Sequence, residues 1–218
     1  MSTKRIALVL SGCGNKDGSE ITETVALIVG LSRKGAELHF FAPDQNFQSL
    51  NFLTNENSGE RNMMIEGARI ARSKIKPLKE LNADGFDALV FPGGAGAARN
   101  LSSWHEKGAQ CVVNVDVRRV IEEFYKKELP IAAVCIAPVL LARVLGPKGI
   151  TITLGADNEA TAEARKTGAN VETCPVDDYI TDRVHKIITT PAYMHGDSKP
   201  HQVYDGIQGL TQELLEMA

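Results

Sequence analysis

Ile131-Ala132-Ala133-Val134-Cys135-Ile136-Ala137-Pro138 decides the fold: four apolar residues of strand character run into a cysteine, and helix-compatible sequence begins directly after it. A strand that turns at once into a helix leaves its junction residue on a tight, strained elbow. Ala133 and Ala137, two before and two after the cysteine, are small enough for the arms of such an elbow to pass without clashing. Pro138 suits a first helical turn, where the missing N–H costs nothing. A thiol at a helix start faces unpaired backbone N–H groups and the positive end of the macrodipole, which is expected to lower its pKa and make Cys135 a nucleophile. The other reading is a buried structural cysteine acting as a small hydrophobe. These eight residues leave both open.

Outward from the elbow the same alternation repeats. Strand-like runs at Ile6–Leu10, Glu37–Ala42 and Ala88–Phe91 are interleaved with helical patterns at Ile21–Ser32, Val113–Tyr125 and Val139–Leu145. Short runs that are apolar on both faces, separated by amphipathic helices, predict an α/β fold with a mostly parallel sheet covered on both sides. Ligands of such sheets sit at the carboxyl ends of the strands. Four loops share that edge and carry Gly12–Gly18, Pro43–Phe47, Pro92-Gly93-Gly94 and Cys135. Farther on, the pattern predicts a strand at Ile150–Leu154 and a helix at Ala156–Thr167. A hairpin of Tyr179–Asp182 with Lys186–Thr189 and a closing helix from Pro200 to about Glu216 follow. The excursion at about 45–80, with polar Asn51–Asn62 and a helix-like Arg61–Arg72, breaks the rhythm and is expected to be a lid or a dimer element.

At 218 residues the chain reads as a single domain, 1–218. A net charge of −3 offers no electrostatic footprint for nucleic acid, and no apolar run is long enough for a membrane span. Lys4 and Arg5 lead straight into a strand pattern, without a visible signal or transit segment. Cys13, Cys111, Cys135 and Cys174 lack metal-type spacing, so they are expected to be reduced thiols, with no metal, in a cytoplasmic protein.

Gly12-Cys13-Gly14 starts like a dinucleotide fingerprint, with Asp44 as a candidate ribose-binding acid, but Asn15-Lys16-Asp17-Gly18 does not complete it, so no cofactor is expected. The bland reading is a turn before a helix capped by Ser19. Glu23, in the first turn of that helix, is either a solvated carboxylate or a proton-handling partner of Cys135. Gly94 is either an ordinary turn glycine or, with the Ile136 N–H, half of an oxyanion hole. His195, opening His195-Gly196-Asp197, is a possible base.

Gly18–Thr24, Phe91-Pro92-Gly93-Gly94 with Arg99-Asn100-Leu101, and Ala132–Pro138 together resemble the ThiJ/PfpI superfamily. Ser11–Gly14, Glu66–Arg72, Cys174–Asp178 and Thr190–Met194 make the chain most similar to its ElbB branch, described as class I glutamine amidotransferase-like. The resemblance implies a flavodoxin-like three-layer sandwich, a homodimer, a nucleophile at Cys135 and an acidic partner at Glu23. It also implies cofactor-independent glyoxalase activity on a small dicarbonyl such as glyoxal, giving glycolate, and a proposed protein deglycase activity. The alternatives are a non-enzymatic cysteine redox or stress-response protein, and an amidotransferase-like partner in isoprenoid-related metabolism. One departure stands out: where glyoxalase III-type relatives carry a histidine after the elbow helix, this chain has Thr151-Ile152-Thr153-Leu154-Gly155.

Overall fold

The computed structural model describes residues 3–218. The chain runs β1 (Arg5–Val9), α1 (Ile21–Arg33), β2 (Glu37–Ala42), β3 (Asn46–Leu50), β4 (Asn57–Asn62), α2 (Met63–Ile70), β5 (Ile75–Pro77) and β6 (Ala88–Phe91). Short helices α3 (Gly96–Arg99) and α4 (Trp104–Lys107) lead to α5 (Val115–Lys126), β7 (Ile131–Val134) and α6 (Pro138–Leu145). Then come β8 (Thr151–Thr153), α7 (Glu159–Arg165), β9 (Asn170–Glu172), β10 (Ile180–Asp182), β11 (Ile187–Thr190) and α8 (Pro200–Met217).

The central sheet has the order β10-β11-β7-β6-β1-β2-β5 and is parallel except for β10. Alternation along its strands divides the core. Ala7, Val9, Leu89, Phe91, Ile131 and Ala133 face α5 and α6. Ile6, Leu8, Ala88, Val90, Ala132 and Val134 face α1 and α8. This is the expected α/β sandwich, flavodoxin-like and class I glutamine amidotransferase-like, with the loops after β1, β6 and β7 brought to one edge.

The structure adds detail to two expectations and corrects a third. The Ile150–Leu154 run does form a strand, but β8 pairs with β9 in a separate two-stranded sheet. The polar stretch before α2 is a β3–β4 hairpin, and β5 extends the central sheet beside β2. The α1 N-cap is Glu20, whose carboxylate accepts the Glu23 N–H at 2.6 Å, while Ser19 Oγ accepts the Ser11 N–H at 2.9 Å. A carboxylate at an N-cap satisfies an orphan donor and opposes the helix dipole together, so it outcompetes the neighbouring hydroxyl.

The β3–β4 hairpin is docked on the loop after β1. Asp17 accepts the Leu50 N–H at 2.8 Å, and Lys16 donates to the Phe52 carbonyl at 2.8 Å. The Phe52 ring lies where a Cβ on Gly14 would project.

The β10–β11 hairpin is tied to β8 through buried Asp182, which accepts from the Thr151 N–H at 2.8 Å, the His185 N–H at 3.0 Å and His185 Nδ1 at 2.8 Å. Burial alone would raise its pKa; the bonds from Thr151 and His185 outweigh it and hold the carboxyl below the usual range. Its stabilisation is therefore present above the ordinary aspartate pKa and is lost as pH falls through the lowered one. Asp182→Ala is expected to lose about 2–4 kcal/mol at pH 7, because two part-buried N–H groups and the His185 ring lose their acceptor. Urea unfolding checks this, and the gap to wild type should narrow as pH falls through the lowered Asp182 pKa.

Candidate active site

Cys135 closes β7 with φ +60°, in the left-handed region that a non-glycine residue adopts only under constraint. Its N–H continues the sheet ladder to the Thr190 carbonyl at 2.9 Å, and α6 begins three residues later at Pro138. The side chain is thereby turned out of the sheet at its carboxyl edge. The N–H groups of Gly94 and Ile136 lie beside the sulfur, where they favour its anion.

Orientation of the Gly94 N–H follows from its own peptide plane. The carbonyl at the other end of that plane, Gly93 O, accepts the Glu20 N–H at 2.9 Å. The adjoining loop is held too: Ala95 N–H donates to Asn15 O at 2.7 Å and Gly96 N–H to Gly18 O at 3.0 Å. The glycines of the 12–18 loop thus allow two loops to touch. Gly94, at φ +97°, could carry no Cβ without striking Gly18 O and Glu20 N. A Cβ on Gly93 would overlap both Glu23 Oε2 and Cys135 Cβ.

Glu23 is completely buried in the first turn of α1. Its Oε1 accepts the Tyr193 N–H at 3.3 Å, next to Ala192, a second non-glycine residue at positive φ (45°). Oε2 has no full hydrogen bond, and its polar neighbours are the Cys135 thiol and the Gly93 N–H. Burial, then the nearby Glu20 carboxylate, pushes the Glu23 pKa up to about 8, against the opposing bonds from Tyr193, Cys135 and Gly93.

The expected lowering of the thiol pKa does not hold. Burial, and then the charge of Glu23, push Cys135 well above the ordinary thiol value, and the Gly94 and Ile136 N–H groups offset only part of this. Desolvation of a buried anion outweighs a helix N-terminus here. Cys135 and Glu23 form one proton-sharing pair, whose single negative charge can rest on either group. Near neutral pH Glu23 is a carboxylic acid able to donate to the sulfur, and once ionised it can take the thiol proton.

The structure therefore brings Cys135, Glu23, Gly94 and Ile136 together. It holds His195 apart: its Nε2–H donates to the Cys174 carbonyl at 2.8 Å, and the ring is not among the residues lining the Cys135 cavity. The histidine on that cavity is His105, whose Nε2 accepts from Arg99 at 2.8 Å. Sequence reasoning also passed over Glu20 and Tyr193. The Glu20–Glu23 spacing of an N-cap and its third residue was the available signal for the first.

The four cysteines are free thiols. Cys13 lies near Glu66, Arg69 and Asp17, and it is not among the residues lining the Cys135 cavity. Among the described residues no cluster of His, Cys, Asp and Glu is arranged to hold a metal, and no helix is long and apolar enough to cross a membrane.

A DJ-1/PfpI family model matches residues 7–184. The rat protein named ES1 protein homolog, mitochondrial, is 44% identical over 98% of this chain and 84% of its own length. A human protein named glutamine amidotransferase-like class 1 domain-containing protein 3, mitochondrial, is also 44% identical, over 98% of this chain and 83% of its own. Among solved structures, an isoprenoid biosynthesis protein with an amidotransferase-like domain from Ehrlichia chaffeensis superposes with a TM-score of 0.92 at 31% identity, over 99% of both chains. The rat and human relatives are mitochondrial by name, and on that finding the cytoplasmic placement expected from the sequence does not stand. Reduced thiols had pointed only to a reducing environment, which is not unique to the cytosol.

Proposed function

The chain belongs to the DJ-1/PfpI family, and from that premise we propose that it is a cofactor-independent glyoxalase-type lyase converting glyoxal and water to glycolate. The observation that carries this reading is the unpartnered, buried Glu23 Oε2 set against a cysteine whose sulfur faces two backbone donors.

Cys135 adds to one aldehyde carbon as its proton passes to Glu23, forming a hemithioacetal. The developing oxyanion is stabilised by the Gly94 and Ile136 N–H groups; one such donor is typically worth about 3 kcal/mol in the transition state. Glu23 passes the thiol proton on to that oxygen and, a carboxylate again, takes the hydrogen of the sulfur-bearing carbon as a proton and delivers it to the neighbouring carbon, while the hemithioacetal hydroxyl proton moves to the second oxygen. The first carbon is oxidised to a thioester and the second reduced to a hydroxymethyl group. Water hydrolyses the thioester, releasing glycolate and the thiol. With no histidine in Thr151–Gly155, Glu23 carries both proton transfers and turnover is slow.

The same reading takes the protein as a homodimer of the ElbB branch and allows deglycase activity on glycated groups. Glycolate formation from glyoxal, measured against an enzyme-free control, is the test. The wild type is expected to exceed the control and Cys135→Ala to match it. A wild type equal to the control rejects the proposal.

The name of the Ehrlichia relative favours a second reading, an amidotransferase-like partner in isoprenoid-related metabolism. It requires a base for glutamine hydrolysis, a part His195 does not fill while bonded to the Cys174 carbonyl. Ammonia release from glutamine would support it. The lone Oε2 beside the sulfur favours a third, in which Cys135 oxidises to an acid that Glu23 stabilises; peroxide-dependent mass gain without glycolate formation would point there.

A further inference from the structure

The cavity above Cys135 has a volume of about 910 Å³, the size of a site for a drug-sized ligand, and glyoxal, with four heavy atoms, fills little of it. Its polarity changes with depth. At the floor are the sulfur and the Gly94 and Ile136 N–H groups, a setting for one small oxyanion. On the wall are four glutamates, Glu20, Glu106, Glu159 and Glu163, against one lysine, Lys107.

Two of these carboxylates have structural work. Glu20 caps α1, and Glu163 accepts the Ala109 N–H at 3.0 Å and pairs with Lys166. Glu106 and Glu159 are exposed and make no ion pair or side-chain hydrogen bond among the described residues. Arg99, a further cation beyond Lys107 and Lys166, donates to His105 and lines a neighbouring groove. The acidic wall thus stands above a buried acid whose Oε2 is unpartnered and directed at the same sulfur.

We propose that this site takes a carbonyl compound bearing a positively charged amine or guanidinium group, with the carbonyl carbon at Cys135 and the cation against Glu106 and Glu159. The inference rests on the reading that Cys135 adds to carbonyls. In that addition the sulfur–carbon bond forms as the carbonyl π bond breaks, and the thiol proton reaches the oxygen through Glu23, with no net oxidation. A carboxylate on the substrate would meet the glutamate wall, and a cation is attracted to it. Several like charges within about 10 Å of a low-dielectric cavity produce rate differences of tenfold or more between oppositely charged reagents.

Thiol labelling tests the charge preference without requiring turnover. The cationic reagent 2-(trimethylammonium)ethyl methanethiosulfonate and the anionic 2-sulfonatoethyl methanethiosulfonate each form a mixed disulfide with a thiol and release methanesulfinate. Labelling of the Cys135 peptide is followed by mass spectrometry, and each rate is divided by that of the same reagent with free cysteine. The normalised preference for the cation is expected to be at least about tenfold and to fall toward parity in the Glu106→Gln, Glu159→Gln double variant and in 1 M salt. Parity or anion preference in the wild type overturns the proposal, as does a preference the double variant leaves untouched. Betaine aldehyde and glyoxylate are then compared as protectants of Cys135. Protection by betaine aldehyde alone is expected, and equal or reversed protection overturns the proposal. Protection by neither, with the labelling preference intact, rejects the carbonyl reading while leaving the acidic wall established.

Discussion

Glu23→Gln is expected to be more stable than the wild type at pH 9 and to form glycolate at least 10²-fold more slowly. The stability sign follows from the raised acid. Unfolded, Glu23 ionises near 4.5; folded, it holds its proton to about 8. Between those values the folded state binds the extra proton, so this group's contribution to stability falls as pH rises from about 4.5 to 8 and stays at its lowest above that. The full cost of the buried charge is on the order of 5 kcal/mol. Glutamine removes the charge but leaves an amide to be bonded in the same space, so a net gain of about 2 kcal/mol at pH 9 is the expected result. Urea unfolding at pH 5, 7 and 9 measures it, and the gap should close toward pH 5. A gap independent of pH would show that Glu23 ionises in the fold as it does in the unfolded chain, with no raised pKa. The same titration sets the rate: wild-type turnover should climb as pH rises toward about 8, and the glutamine variant should lack that limb.

Gly93→Ala is the second large effect. The added methyl group would occupy the space of Glu23 Oε2 and Cys135 Cβ and approach Val134 O to 2.9 Å. Cys135 Cβ and Val134 O are fixed by the backbone, and the Glu23 carboxyl, though a side-chain end, is completely buried. Overpacking of this kind costs about 1–3 kcal/mol or more, a fall in Tm of roughly 3–10 °C in a domain of this size. The chemistry suffers further, because displacing a reacting group by about 1 Å costs about 10²-fold in rate. Calorimetry and the glycolate assay should therefore show a variant that folds, melts early and has lost at least two orders of magnitude of turnover. A variant with wild-type turnover would place the reacting groups elsewhere.

The sandwich was legible because β2, β6 and β7 are short runs with turn residues behind them, and the predicted bounds of all three match those observed. The β3–β4 hairpin was not, because Asn57–Asn62 is polar throughout and carries no alternation; Asp17, Lys16 and Phe52 hold it through contacts distant in sequence. The run at 150–154 was read as a strand, but its partner depends on nonlocal pairing that no local pattern specifies. At the site, the elbow and the first turn of α1 pointed to Cys135 and Glu23. The direction of the thiol pKa was not legible, since it is decided by how deeply both groups are buried and by their mutual approach.

The Gly93–Gly94 peptide acquires a further meaning from its one carbonyl contact. Rotation of a peptide plane by half a turn exchanges its N–H for its C=O, and two consecutive glycines are where such a flip meets the least steric resistance. Flipped, the plane would turn a carbonyl oxygen toward the Cys135 sulfur in place of a donor, and the potential there would change from one that holds an anion to one that repels it. The Glu20 N–H, 2.9 Å from Gly93 O, pins the plane in its donor-inward state. A hydrogen bond ordinarily worth about 1 kcal/mol thereby helps keep a donor under the nucleophile, and the residue that caps α1 also fixes the orientation of this peptide.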